Sequence, residues 1–168
     1  MTEPITGGCQ CGAVRYRIDG PLTRAHICHC RMCQKAAGNY FLPLANVQRA
    51  DFIVTRSEIA WFQTSDFARR GFCRDCGTPL VYDGLSSPHV NVALGSLDHP
   101  HAVAPARQLG VEAKIPWFAR LDALPGERTE EGFASDALKA LAASNRQHPD
   151  HDTDHWPPGE GPRREKTR

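Results

Sequence analysis

The sequence lacks long apolar runs, a strong net charge and the common phosphate-binding or nucleophile motifs. No stretch approaches the roughly 20 apolar residues that a membrane span needs, and the start, Met-Thr-Glu-Pro-Ile-Thr, has neither the basic nor the apolar region of a secretion signal. The formal net charge of +1 is too small to predict a nucleic-acid or membrane partner. No glycine-rich phosphate loop and no Gly-x-Ser-x-Gly element occurs. We therefore expect a cytoplasmic protein with no nucleic-acid and no membrane partner.

Length and composition are those of an ordinary globular domain. The chain has 168 residues, of which 23% are charged and 40% hydrophobic. These values exclude collagen-like, coiled-coil and disordered chains, and the length corresponds to about one domain.

Seven cysteines are the unusual feature of the composition. They fall as Cys9-Gln-Cys11, Cys28-His-Cys30-Arg-Met-Cys33 and Cys73-Arg-Asp-Cys76, and none follows residue 76. An odd number cannot pair completely within one chain, and disulfides seldom persist in a reducing compartment. Short cysteine spacings instead allow neighbouring thiolates to reach one ion, and sulfur ligands select zinc over hard cations. The pattern predicts metal binding.

The seven cysteines divide naturally into four and three. A structural zinc takes four protein ligands, whereas a catalytic zinc takes three and keeps one position open. The two-cysteine clusters can form a closed site, in which Gly12 and Gly77 directly follow a ligand and can adopt positive φ. The three-cysteine cluster then stands alone.

Two alternatives remain open for the three-cysteine cluster. His26 or His29 can complete a closed site of three thiolates and one imidazole, although His29 lies between two ligands and should point away from their metal. A redox-active dithiol formed by Cys30 and Cys33 is a second alternative, but the βαβ setting of thioredoxin-like motifs is missing.

Many short strands separated by turn residues predict a mainly β fold of antiparallel strands. A short helix is expected over residues 31–37, closed by Gly38. We divide the chain into a zinc domain over residues 1–127, a C-terminal helix over 128–144 packed on it, and a disordered tail over 145–168. The helix has an apolar stripe that should pack on the domain, and the tail is polar and proline-rich. The apolar stripe consists of Phe133, Ala137, Leu138 and Leu141.

The chain resembles the glutathione-dependent formaldehyde-activating enzyme family, whose domain is also named for centromere protein V. The matching motifs are Gly7-Gly-Cys-Gln-Cys-Gly12, Cys28-His-Cys-Arg-Met-Cys-Gln-Lys35 and Phe72-Cys-Arg-Asp-Cys-Gly-Thr-Pro-Leu80, with looser matches at 91–98 and 113–117. The resemblance covers about residues 5–125, and neither the helix nor the tail belongs to it.

This resemblance implies an Mss4-like zinc-binding fold with one structural and one catalytic zinc. By residue, it gives the structural role to Cys9, Cys11, Cys73 and Cys76, and the catalytic role to Cys28, Cys30 and Cys33. It also implies carbon–sulfur lyase or synthase chemistry on small thiol–aldehyde adducts, such as glutathione plus formaldehyde giving S-(hydroxymethyl)glutathione. The expected partner is a small thiol substrate, for example glutathione. A homodimer is a further expectation.

Two further expectations concern the substrate and the competing function. Arg31, Lys35, Arg69 and Arg70 lie near the cysteines in sequence and are candidates to bind the carboxylates of glutathione. The competing function is a non-catalytic Mss4-like zinc module that binds a protein partner, because one fold hosts unrelated functions. An open three-ligand zinc favours the enzyme, and a closed site favours the module.

Overall fold

The computed structural model describes residues 3–155 and consists mainly of short β-strands. The strands are β1 (Ile5–Gly8), β2 (Arg15–Ile18), β3 (Thr23–Cys28), β4 (Leu42–Gln48), β5 (Phe52–Arg56), β6 (Ala60–Ser65), β7 (Ala68–Phe72), β8 (Pro79–Gly84), β9 (His89–Ala93) and β10 (Arg107–Leu109). The α-helices are α1 (Arg31–Ala37), α2 (Thr129–Gly132) and α3 (Ser135–Ser144). Short 3-10 helices cover Arg49–Asp51, Leu94–Ser96, Pro100–Ala102, Val111–Ala113 and Phe118–Ala123.

The strands form two sheets. One has three strands in the order β1-β2-β5, and the other has seven in the order β10-β3-β4-β9-β8-β7-β6. Neighbouring strands are antiparallel except for β10, which runs parallel to β3. The predicted mainly β fold of short antiparallel strands with a C-terminal helix is thus confirmed, and the parallel pair is an addition to it.

The main core contains apolar side chains from both sheets. Tyr16 and Ile18 of β2 are buried together with Val47 of β4 and Val92 of β9. A second, smaller apolar cluster contains Leu42, Leu44 and Ala93, and Cys33 of α1 packs into it. Since side chains alternate between the two faces of a strand, β4 and β9 contribute to both clusters. The helix α1 therefore has its own apolar contact, separate from the main core.

The helix α1 has the bounds that its sequence predicts. Cys30 is its N-cap residue, and the Cys30 sulfur accepts a hydrogen bond from the Cys33 backbone N–H at 3.4 Å. The helix ends at Gly38, whose φ of 59° lies in the left-handed region that glycine adopts without steric cost.

The C-terminal helix differs from its expected packing. Phe133 and Leu141 of the apolar stripe are each 57% exposed, and α3 has no buried residue. Helical periodicity identifies an apolar stripe, but it does not determine whether another element lies opposite. No helix in residues 3–155 is long and apolar enough to span a membrane.

The first part of the expected tail lies against the domain. His148 is buried, and its backbone N–H donates to the Gln10 carbonyl at 2.7 Å. Asp152 accepts a hydrogen bond from Arg15 at 2.8 Å, and the Thr153 carbonyl accepts one from Arg56. Polar contacts thus hold this segment, which has few apolar residues, against the domain. Composition alone does not reveal these contacts. The rest of the predicted disordered tail, residues 156–168, lies outside the described residues.

Candidate metal centres

The first two and the last two cysteines of the chain come together from two turns that are far apart in sequence. Cys9 and Cys11 lie in the turn between β1 and β2, whereas Cys73 and Cys76 lie in the turn between β7 and β8. Their four sulfurs all lie within 4.8 Å of one another. The Cys9–Cys11 sulfur distance is 3.5 Å and the Cys11–Cys73 distance is 3.8 Å.

Both turns have the backbone conformation that the flanking glycines predict. Gly12 has a φ of 72° and Gly77 a φ of 77°, so both lie in the region that glycine favours. The Gly77 N–H donates to the Cys73 carbonyl at 2.9 Å, and the Val14 N–H donates to the Cys9 sulfur at 3.2 Å. The first contact closes the Cys73–Gly77 turn, and the second orients the Cys9 sulfur, as amide hydrogen bonds do around metal-bound thiolates.

Thr78 connects the two halves of this four-cysteine cluster. Its hydroxyl oxygen accepts a hydrogen bond from the Gln10 N–H at 3.0 Å and lies 3.1 Å from the Cys76 sulfur. Thr78 belongs to the Phe72–Leu80 sequence motif, but the motif alone does not predict these two contacts. A short polar residue two positions after a cysteine is the signal that suggests such a contact.

The other three cysteines form a second cluster at the β3–α1 junction. Cys28 ends β3, Cys30 caps α1 and Cys33 lies in its first turn. Their sulfurs also lie within 4.8 Å of one another, and the Cys28–Cys30 distance is 3.5 Å. Among the described residues, no histidine or carboxylate joins this group.

The two candidate histidine ligands make other contacts. His29 is fully buried, and its Nε2 lies 3.0 Å from the side-chain oxygen of Gln108. His26 Nδ1 lies 2.8 Å from the Arg24 carbonyl, and burial lowers the pKa of His26. The expectation that His29 points away from the cluster agrees with these contacts.

The segment around β10 supports the loop that carries Cys28 and Cys30. The His29 N–H donates to the Leu109 carbonyl at 2.8 Å, and the Gln34 amide donates to the His29 carbonyl at 2.8 Å. Gly110 has a φ of 64°, and a Cβ there would lie 2.7 Å from the Cys30 nitrogen. Sequence reasoning missed this support because β10 is about 80 residues away along the chain.

Both clusters fit a zinc ion. A Zn–S bond of about 2.3 Å places the sulfurs of a tetrahedral site about 3.8 Å apart, close to the observed distances of 3.5 and 3.8 Å. No disulfide joins any of the seven cysteines, since a disulfide needs an S–S distance of about 2.05 Å. The two clusters can therefore hold metal ions, four thiols in one and three in the other.

Protonation of the thiols opposes metal binding at low pH. Burial raises the pKa of Cys28 to about 12 and that of Cys73 to about 11. Burial acts in the same direction on Cys76, but hydrogen bonds from Thr78 and Cys11 outweigh it and lower its pKa to about 6. Because thiolates are the metal ligands, metal binding releases protons and its affinity falls as the pH falls.

Two adjacent arginines of β7 face opposite sides of the sheet. Arg70 is buried, and its Nη2 donates to the Cys33 sulfur at 3.4 Å. Arg69 instead pairs with Asp83 at 2.9 Å and lies over the Trp61 ring. Arg31 and Lys35 are exposed on α1. Of the four basic candidates, Arg70 is thus the one that contacts a cluster thiol.

Comparison with known proteins gives a family and a fold. Residues 4–112, well over half of the chain, match the family described as glutathione-dependent formaldehyde-activating enzyme. An uncharacterized lyase of Schizosaccharomyces pombe is 26% identical over 76 residues, which are 45% of this chain and 55% of that protein. The chain thus spans about half the length of this curated relative.

A solved structure shares the fold. It is the crystal structure of a Rhodobacter sphaeroides protein, 23% identical, and the alignment has a TM-score of 0.51. The alignment covers 61% of this chain and 98% of the other. A sequence identity of 23% supports a shared fold and nothing about a shared function.

Proposed function

Since this chain belongs to the glutathione-dependent formaldehyde-activating enzyme family, we propose that it is a zinc-dependent carbon–sulfur lyase or synthase acting on small thiol–aldehyde adducts. In the example reaction, the sulfur of glutathione bonds to the carbon of formaldehyde and the carbonyl oxygen takes up a proton, giving S-(hydroxymethyl)glutathione. The reverse reaction breaks the same carbon–sulfur bond. We also propose a cytoplasmic location, because a reducing compartment keeps cysteines in the thiol form that metal binding requires.

The observation that carries this proposal is the difference between the two clusters. Four thiols converge in one and three in the other, with no further candidate ligand among residues 3–155. A four-thiol site is closed and structural, whereas a three-ligand site leaves a position for substrate. We therefore assign the structural role to Cys9, Cys11, Cys73 and Cys76 and the catalytic role to Cys28, Cys30 and Cys33.

The chemistry requires an ionised thiol next to an aldehyde carbon. A free thiol, with a pKa of about 8.5, is mostly protonated at neutral pH. Zinc bound by Cys28, Cys30 and Cys33 would supply a positive centre that favours the thiolate form.

Hydrogen bonds from neighbouring residues orient the sulfurs of the three-cysteine cluster, and a nearby positive charge offsets their negative charge. The backbone N–H of Cys33 donates to the Cys30 sulfur, and Arg70 donates to the Cys33 sulfur. Three thiolates outweigh a divalent cation by one negative charge, so the Arg70 guanidinium brings the formal total to zero. His26 and His29 are buried and contact other groups, so we assign the proton transfer to water.

Zinc analysis combined with an exchange measurement tests the proposal. The purified protein should hold two zinc equivalents and should accelerate the exchange between formaldehyde, glutathione and their adduct, as followed by NMR. A small thiol acid such as 3-mercaptopropionate should be tested beside glutathione, because the thiol is part of the proposal. Unchanged exchange rates with both thiols would contradict it and would favour the alternative, a non-catalytic zinc module that binds a protein partner.

A further inference from the structure

A small apolar cavity lies next to the three-cysteine cluster. It has a volume of about 240 Å³, below the roughly 300–1,000 Å³ of pockets for drug-sized ligands. Its lining shares Leu42, Leu44 and Ala93 with the apolar cluster into which Cys33 packs. The other lining residues are Ala36, Phe62, Arg70, Gly71, Phe72, Gly77, Pro79 and Val81.

Among residues 3–155, Arg70 is the one charged residue that lines this cavity. It is only 8% exposed, and its guanidinium lies 5.1 Å from the centre of the Tyr82 ring. One nitrogen, Nη2, donates to the Cys33 sulfur, whereas Nε is buried and has no hydrogen-bond partner among the described residues. A buried donor without a partner is rare in native proteins and calls for an explanation, such as a ligand.

The neighbouring Arg69 lies on the other side of the sheet, and its Nε has a hydrogen-bond partner. This partner is the carboxylate of Asp83, which also pairs with Arg49 at 2.7 Å. Asp83 thus holds Arg69 within the sheet by an ion pair. Arg70, in contrast, donates one hydrogen bond to the Cys33 sulfur and forms no ion pair with a carboxylate among the residues that the structure describes.

The residues that line the cavity indicate which class of ligand it can bind. A guanidinium binds carboxylates in preference to neutral groups, and the remaining lining offers apolar contacts. Glutathione carries two carboxylates and an ammonium group, for which this lining supplies a single charged partner. Because Arg70 also contacts Cys33, a short carbon chain suffices to connect a sulfur at the cluster with a carboxylate at Arg70.

We propose that the cavity binds a small thiol acid, with its carbon chain against Leu42, Leu44 and Ala93 and its single carboxylate on Arg70 Nε. The proposal rests on the proposed function, because it assigns the thiol of that reaction to the class of short mercapto-carboxylates. Arg70 is then a specificity-determining residue as well as a partner of Cys33.

Calorimetric titration of the zinc-loaded protein tests this proposal without measuring catalysis. The probes are 3-mercaptopropionate and its neutral analogue 3-mercaptopropanamide, which differ only in the charged group. We expect the carboxylate to bind at least about tenfold more tightly than the amide. Equal affinity, tighter binding of glutathione, or no detectable binding of 3-mercaptopropionate would overturn the proposal.

Two substitutions of the adjacent arginines provide a matched comparison. Arg70→Met should remove the preference for the carboxylate, and Arg69→Met should leave it within about twofold. Arg70→Lys keeps the charge beside Cys33 but lacks Nε, so it should retain zinc and lose most of the preference. If Arg70→Met does not fold, the lysine variant and the two probes on the unmodified protein still decide the question. Preserved preference in either Arg70 variant contradicts the proposal.

The NMR exchange measurement separates this proposal from the proposed function. If 3-mercaptopropionate binds through Arg70 but no thiol accelerates exchange with formaldehyde, the lyase proposal fails and the binding site stands. If glutathione reacts and the carboxylate preference is absent, the lyase proposal stands and the thiol-acid site is wrong.

Discussion

The guanidinium of Arg15 binds the carboxylate of Asp98 through two parallel hydrogen bonds. Nη1 lies 2.7 Å from Oδ1 and Nη2 lies 2.5 Å from Oδ2. Both side chains are almost completely buried, and Thr6 donates a further hydrogen bond to Asp98 at 2.5 Å. This pair joins β2, directly after the Cys9–Cys11 turn, to the segment that follows β9.

Loss of the Asp98 charge should strongly destabilise the fold. Asp98→Asn leaves the Arg15 charge without its buried partner, which costs about 3–5 kcal/mol in comparable pairs. Asp152 pairs with the same arginine but is 53% exposed, so Asp152→Asn should cost about 1 kcal/mol or less. Chemical denaturation of the two variants gives both values, and equal losses would contradict the role of burial.

The stability difference between the unmodified protein and Asp98→Asn should shrink in acid. Burial alone would raise the pKa of Asp98, but hydrogen bonds from Arg15 and Thr6 outweigh it and lower the pKa. A lowered folded-state pKa adds stability above the unfolded value of about 3.9, and this stability disappears as the pH falls through the folded-state pKa. Denaturation of both proteins between about pH 7 and pH 3 measures the difference between their free energies of unfolding. Both proteins lose zinc in acid, so the effect of that loss largely cancels in the difference. A constant difference would be inconsistent with this linkage.

Cys30→Ser should remove one of two zinc equivalents and abolish activity while the domain stays folded. The four-cysteine cluster does not include Cys30, so the site that connects the two turns remains. Metal analysis and circular dichroism of the purified variant check this expectation. Met32→Ala, a change at an exposed position in the same segment, serves as the control. Loss of both metals with unfolding would argue against separate roles for the clusters.

Cys76→Ser should unfold the protein, in contrast to Cys30→Ser. The four-cysteine cluster joins the β1–β2 turn to the β7–β8 turn, and binding energy at a structural zinc contributes directly to folding. Thermal unfolding followed by circular dichroism measures the effect. Arg74→Ala, at an exposed position between the two ligands, should melt like the unmodified protein. A native melting curve for the Cys76 variant would contradict the structural role.

Gly110→Ala should weaken metal retention at the three-cysteine cluster. The new Cβ would meet the Cys30 backbone at 2.7 Å, and the left-handed conformation adds about 1–2 kcal/mol of strain. Competition with a chelator should release one zinc about tenfold more easily and leave the second unaffected. Gly126→Ala, where nothing lies within 4 Å of the new Cβ, is the matched control. Unchanged release from the Gly110 variant would show that β10 does not support the loop.

The cysteine spacing and the local turn chemistry could be read directly from the sequence. Short spacings bring thiols together within one turn, so both clusters and the positive φ of Gly12 and Gly77 follow from local rules. The bounds of α1 were likewise predictable, because its cap residues lie at its own ends. Short apolar runs separated by turn residues likewise predicted the mainly β character of the chain, but not which strands pair.

Tertiary structure decided the features that depend on distant partners. The parallel pairing of β10 with β3 positions Gly110 against Cys30, and no local pattern encodes that contact. Arg69 and Arg70 look alike in sequence, yet strand alternation places one beside Asp83 and the other beside Cys33. The chain by itself therefore determined which residues can bind metal, because ligand chemistry is local. The fold decided which charged groups and which cavity surround them, because those contacts join residues that are far apart along the chain.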